Sequence, residues 1–157
     1  MRETYETIRV DVAGSIVTLT LNRPEKMNAI NSKMEHEAME VLDELAWNEQ
    51  YRVLVITGAG SAFSAGGDYR TGVPSSTSAL SSLEFVRHYQ EEVIAFLEKL
   101  RLFPRITIAA VNGWALGNGF TLAMLCDYVI AATDARMGIP QIKRGGLPIS
   151  ARSWMEN

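Results

Sequence analysis

An apolar run that stops on glycine and reopens at once as a second apolar block constrains this chain more than any other feature. Residues 108–148 read IAAVNGWALGNGFTLAMLCDYVIAATDARMGIPQIKRGGLP. Ile106–Val111 has the continuous apolar character of a buried strand, and it gives way to a Gly-rich turn over residues 113–119. A second apolar block, residues 120–124, follows directly, then Cys126-Asp127 and another run, Tyr128–Ala131. A strand that ends in glycine and feeds a helix projects the first N–H groups of that helix outward. Such a terminus suits an oxyanion or another negative charge. A tight turn that binds nothing fits the same spacing equally well.

The 157 residues, 47% of them hydrophobic, suit one domain with a substantial core. A net charge of −3 with both signs scattered argues against nucleic acid as a partner, which calls for a basic face. No apolar run is long enough to span a bilayer, and the opening MRETYETIRV is too polar for a secretory signal, so no membrane partner is expected. The single cysteine, Cys126, excludes an internal disulfide and fits a reducing compartment such as the cytoplasm. Within an apolar run it reads as a small buried hydrophobe, not as a nucleophile. No His, Cys and carboxylate residues share ligand spacing, so no metal is expected.

In chain order, residues 8–12 and Ile16–Leu21 alternate apolar and polar side chains around Ala13-Gly14-Ser15, the pattern of a β-hairpin with one solvated face. Arg23-Pro24 ends the second strand, since proline cannot donate to a ladder. Asn31 or Ser32 caps a helix reaching about Trp47, with Met34, Ala38, Val41, Leu42 and Leu45 on one face. Residues 52–57 (RVLVIT) form a short strand of the kind covered on both faces, and the order strand, helix, strand predicts a parallel crossover. Residues 58–68 (GAGSAFSAGGD) are small enough to let the backbone approach a ligand or another segment.

Ser64 lies in no nucleophile-elbow pattern, and neither His36 nor His88 has an evident partner, which argues against a Ser–His hydrolase. Residues 71–82 read as a polar loop. An amphipathic helix over about 83–100 follows, with Phe85, Tyr89, Val93, Phe96, Leu97 and Leu100 at helical spacing and Pro104 beyond its end. There is no internal sequence repeat and no linker, so residues 1–157 are read as one domain.

Two separated motifs, AFSAGGD (residues 62–68) and AAVNGWALGNGFTLAMLCD (residues 109–127), resemble those of the crotonase superfamily of enoyl-CoA hydratases and isomerases. NRPEKMNAI (residues 22–30) and ARMGIPQIKRGGLP (residues 135–148) match its pattern too, in the same order and at similar spacing. The resemblance implies an α/β fold, a spiral of repeated β-β-α units. It also implies an enzyme that binds an acyl-CoA thioester and stabilises an enolate between two main-chain N–H groups. By motif position these belong to Gly67 and Asn118, and Asn118 stands where the family usually has glycine. The implied CoA contacts are Lys26, Met27 and Ala29 near the nucleotide, and Ala65, Gly66, Gly67, Asp68, Tyr69 and Arg70 near the pantetheine and thioester. Lys26 and Arg70 suit phosphate on charge grounds, and they suit a solvated surface equally. No permanently bound cofactor is implied; CoA arrives as part of the substrate.

Hydratases of the family carry two glutamates that handle water and the α-proton. The corresponding positions here are Thr121 and Gln141. Thr121, one turn beyond Asn118, is expected to face the thioester, where its hydroxyl can orient water but cannot serve as a general base at neutral pH. Gln141 can donate and accept hydrogen bonds but cannot exchange a proton. A third acidic position used by some isomerases and dehalogenases falls on Ile149. Asp68, Asp127 and Asp134 read as caps and turn residues; Glu84, Glu91 and Glu92 are the remaining candidates for a base, on what reads as a wet helix face.

Relatives continue past the GLP segment with a helical region that closes the acyl pocket and builds a trimer, so the resemblance implies a chain truncated at its C-terminus. A homo-oligomer, trimer or hexamer, is the implied assembly. A non-catalytic acyl-CoA-binding or assembly subunit, or an incomplete fragment, is the alternative to an active enzyme.

Overall fold

A computed structural model describes residues 4–68 and 89–144. β1 (Ile8–Ala13) and β2 (Ile16–Leu21) pair antiparallel, Ile8 opposite Leu21 and Ala13 opposite Ile16. The two-residue loop opens on Gly14 at φ 60, a left-handed angle that glycine adopts without cost. After a 3-10 turn at Pro24–Lys26 comes α1 (Ser32–Trp47), whose Asn31 cap accepts the Met34 amide at 3.0 Å. Met34, Ala38, Val41, Leu42 and Leu45 are all buried, the stripe that the helical period requires.

β3 (Val53–Gly58) returns parallel to β2, so the predicted crossover is present. β4 (Ala62–Ser64) follows. The described part of the helix expected over 83–100 opens with a wide π-helical turn, Tyr89–Ile94, and continues as α2 (Ala95–Arg101), which buries Phe96, Leu97 and Leu100. Its first turns, with Phe85, and the 71–82 loop lie outside the described residues. β5 (Ile106–Val111) pairs parallel with β3.

The Gly-rich stretch over 113–119 is more than a turn. It contains β6 (Trp114–Leu116), and only then does α3 (Asn118–Met124) begin. β7 (Tyr128–Ala131) joins β5, β8 (Arg136–Gly138) joins β6, and a 3-10 turn spans Pro140–Arg144.

The strands form two sheets, one ordered β1-β2-β3-β5-β7 and a smaller one ordered β4-β6-β8. From β3 onward each repeat lays its first strand on the large sheet and its second on the small one: β3 with β4, β5 with β6, β7 with β8. Every pairing within this series is parallel. This is the spiral of β-β-α units that the resemblance implied. No repeat is visible in the sequence because the unit is conserved as topology, through strands of only three residues.

On the large sheet Val17, Leu54 and Thr107 sit side by side, as do Leu19, Ile56 and Ala109, and this face is buried. The opposite face is open at the strand starts, where Ile16 and Ile106 are exposed, and closes towards the carboxyl ends, where the chain crosses to the small sheet. Coverage of β3 on both faces is therefore only partial: Val53 and Val55 remain half-buried. β7 is one edge of the large sheet among the described residues, and all four of its residues are exposed.

Candidate active site

All three strands of the small sheet run the same way, so the segments leaving them emerge on one side. Ala65-Gly66-Gly67 leaves β4, Gly117-Asn118 leaves β6, and Pro140-Gln141 leaves β8. These seven residues line one cleft of about 270 Å³. Carboxyl ends of parallel strands are where α/β sheets hold ligands, because the chain turns away there and exposes main-chain groups.

Glycine sets how closely the lips approach. Gly66 has φ 98, and a Cβ on it would lie 2.7 Å from Leu116 O and 3.4 Å from Asn118 N. Gly117 has φ 53 and ψ −119, and a Cβ there would stand 3.4 Å from the side-chain oxygen of Gln141. Side chains at either position would fill the cleft or strain the backbone.

Gly67 pairs with Ile30 in an isolated parallel bridge. Ile30 N donates to Gly66 O at 2.8 Å, and Asp68 N donates to Ile30 O at 2.6 Å. In parallel pairing the residue between those two bonds turns its own N–H and C=O to the other side, away from Ile30. Asn118, 3% exposed, begins α3. With seven residues that helix is too short for a sizeable macrodipole, so the polarity of the turn comes from individual amides.

The sequence model described as enoyl-CoA hydratase/isomerase matches residues 11–157. The chain belongs to the enoyl-CoA hydratase/isomerase family. It is similar to a probable enoyl-CoA hydratase of Mycobacterium tuberculosis, 39% identical over 92% of this chain and 53% of that protein. It is 36% identical to a 1,2-epoxyphenylacetyl-CoA isomerase of Escherichia coli, over 96% of this chain and 56% of that one. Among solved structures it superposes on Pseudomonas aeruginosa AtuE with a TM-score of 0.86 at 31% identity, covering 96% of this chain and 57% of that chain. The chain spans about half the length of these crotonase-fold relatives.

Within this family fold, the candidate site residues fall into three groups. Ala65, Gly66, Gly67, Asn118 and Gln141 meet at the cleft. Lys26, Met27 and Ala29 do not line it: Ala65 N donates to Met27 O at 2.9 Å, Lys26 is exposed on the same turn, and Ala29 O accepts from Arg23 Nη1. Tyr69 and Arg70 lie outside the described residues, as do Glu84 and Ile149.

Thr121 departs from expectation. It is 1% exposed and does not line the cleft, and its hydroxyl donates back to Gly117 O at 3.3 Å. A helical threonine readily bonds its hydroxyl to a carbonyl of the preceding turn. Gln141 does reach the cleft. Glu91 is exposed, and the side chain of Glu92 lies outside the described residues.

Two of the aspartates tie distant segments together. Asp68 pairs with Arg23 at 2.9 Å, both side chains nearly buried. One Asp127 oxygen accepts from both the amide and the hydroxyl of Thr107, tying the start of β5 to the turn before β7. Asp134 is exposed in the turn before β8. Burial, reinforced by the Asp127 charge and only partly offset by a Thr107 hydrogen bond, pushes the Cys126 thiol up to about 12, so it is no nucleophile at neutral pH. Among the described residues no three His, Cys, Asp or Glu side chains come together as a metal ion would require, and no helix is long and apolar enough to cross a membrane.

Sequence reasoning missed Asn28, Arg23 and Ser64, which shape the β4 lip. Asn28, 0% exposed, donates through Nδ2 to Ala59 O and Ala62 O at 2.8 Å each and accepts Arg23 N at 2.9 Å. Ser64 donates its hydroxyl to Asn28 O at 2.9 Å and accepts Gly66 N at 3.2 Å. The available signal was an asparagine between a proline turn and a helix cap, where a left-handed angle is tolerated; Asn28 has φ 53.

Proposed function

We propose that the chain binds an acyl-CoA thioester at this cleft and holds the thioester oxygen with the main-chain amides of Gly67 and Asn118. The observation that carries this reading is the meeting of the β4 and β6 lips at two glycines, with Asn118 N close enough to touch a Cβ on Gly66. Charge that develops on the thioester oxygen as an enolate forms is stabilised by donors already in place, more in the transition state than in the ground state. Loss of one such donor typically costs about 2.7–4 kcal/mol of barrier. Exposed Lys26, on the turn bonded to Ala65, suits a CoA phosphate.

The reaction is of the enoyl-CoA hydratase/isomerase type, with proton transfer arranged differently from the two-glutamate relatives. Gln141 can orient water or substrate in the cleft but cannot carry a proton. These two positions also favour a second reading, that the chain binds acyl-CoA without turning it over. Restoring Thr121 to glutamate would bury a carboxylate, so Gln141→Glu is the informative variant. Turnover of a short enoyl-CoA only in that variant supports the binding role; turnover by the wild type supports the enzyme.

Holding of the carbonyl is tested directly by calorimetry with butyryl-CoA and its S-butyl thioether, which lacks only the oxygen. Two hydrogen bonds predict a thioester about tenfold tighter. Equal affinities would overturn the proposal.

A further inference from the structure

We infer that Arg23 and Asp68 form a positioning pair that fixes the Gly67 amide; this rests on the reading of that amide as a thioester donor. One guanidinium holds both sides of the Ile30–Gly67 bridge. Arg23 Nη1 donates to Ala29 O at 2.6 Å, the residue before Ile30. Its Nη2 donates to an Asp68 carboxylate oxygen at 2.9 Å, the residue after Gly67. The bridge itself is made by two main-chain bonds, Ile30 N to Gly66 O and Asp68 N to Ile30 O, and just before it Ala65 N meets Met27 O and the Ser64 hydroxyl meets Asn28 O. Ile30 N holds the Gly66 carbonyl and with it the plane of the Gly66-Gly67 peptide, so the direction of the Gly67 amide depends on how firmly the two segments resist slipping past each other at this bridge.

The pair supplies that resistance. Its side chains are 12% and 10% exposed, so water competes poorly for either charge. A planar fork that meets two acceptors at once fixes direction as well as distance, which a single-point ammonium does not. Met27 and Asn28, consecutive residues at φ 50 and 53, show that the turn carrying Arg23 is held in a conformation ordinary side chains avoid. Arg23 and Asp68 act through Gly67 and not on the reacting atoms themselves.

The test uses the full chain, its Arg23→Lys and Asp68→Asn variants, and the affinity ratio of butyryl-CoA over its S-butyl thioether. Lysine keeps the charge but reaches only one of the two acceptors; asparagine keeps the shape but loses the charge. Both variants are expected to lower the ratio at least threefold while near-ultraviolet circular dichroism stays native. General damage to the site would weaken both ligands together and leave the ratio intact. A wild-type ratio of one overturns the carbonyl-holding reading and this inference with it. A wild-type preference that persists in folded Arg23→Lys overturns the positioning role alone. If Asp68→Asn does not fold, Arg23→Lys decides. A further measurement needs no variant: the Ile30 and Asp68 amides of the wild type are expected to exchange as slowly as those of Leu19 and Leu54, and fast exchange of both overturns the clamp.

Discussion

Asn28 shows how much one side chain can organise. Its carboxamide takes the place of a strand in the gap between the 23–30 turn and the β3–β4 connection, meeting two carbonyls and an amide with no exposed surface. Asn28→Ala removes all three hydrogen bonds, each worth about 0.5–1.5 kcal/mol net, and leaves Ala62 O only the longer bond from Asn112 Nδ2 at 3.4 Å. A loss of about 2–4 kcal/mol in urea unfolding is expected. Asn28→Asp, nearly the same shape, is expected to do no better, because a carboxylate oxygen then faces Ala59 O and Ala62 O where a donor stood. A stability within 0.5 kcal/mol of wild type in Asn28→Asp would show that shape, not hydrogen bonding, holds the turn. The motif around Asn28 was legible as a motif. Its key residue was not, because two of its three side-chain bonds are to residues 31 and 34 positions away and no local pattern reports them.

Elements that carry their own pattern were read to within a residue: the hairpin, α1, capped by Asn31 of the two candidates, and the apolar runs of β3 and β5. The small sheet was not. Three residues are too few to show alternation, and β4, β6 and β8 exist because each finds a parallel partner far along the chain, Ala62 beside Trp114 and Trp114 beside Arg136. The cleft lies at the ends of those strands, so its residues were named by resemblance and not by periodicity.

Even α1 hides a polar contact. Glu37 is buried among the stripe positions and accepts the Glu6 and Thr7 amides at 3.0 and 2.9 Å and the Thr7 hydroxyl at 2.6 Å, fastening the chain ahead of β1 to the helix. Burial pushes its carboxyl up, but the Thr7 hydroxyl, the two amides and the Lys33 charge outweigh that and hold it below the ordinary glutamate value. A folded-state value below the unfolded one contributes stability above the ordinary carboxylate range and loses it as pH falls through that range. Glu37→Gln is therefore expected to cost about 1.5–3 kcal/mol at pH 7, the worth of hydrogen bonds to a charged group. The gap from wild type should narrow towards pH 4 in denaturation curves. A gap that stays constant with pH would mean the carboxylate charge is not what holds the segment.

At the scale of the whole molecule, the chain crosses from the large sheet to the small one within a few residues at every repeat, and at the first two crossings glycine makes the close approach possible. Gly113, between β5 and β6, lies so close to the preceding crossing that a Cβ would stand 2.1 Å from Ser61 O. Gly58, at the end of β3, meets Ala62 O at the same distance. Both obstacles are backbone, which cannot swing aside as a side chain can. Gly138, at the end of β8, has nothing among the described residues within 4 Å of its Cβ direction. The same substitution at the two places is therefore expected to have opposite signs. Gly113→Ala forces β6 away from the segment entering β4, at about 3 kcal/mol or more, the upper range for overpacking. Gly138→Ala restricts the unfolded chain without a clash and is expected to add about 0.4–1 kcal/mol. Because β4 and β6 carry the two lips of the cleft, Gly113→Ala should also lower the thioester-over-thioether affinity ratio, whereas Gly138→Ala should leave it near wild type. Urea unfolding read beside calorimetry separates the two effects. Equal destabilisation by both alanines would mean that the sheets are not joined at Gly113, and a preserved ratio in a destabilised Gly113→Ala would mean that the cleft does not depend on the spacing of the sheets.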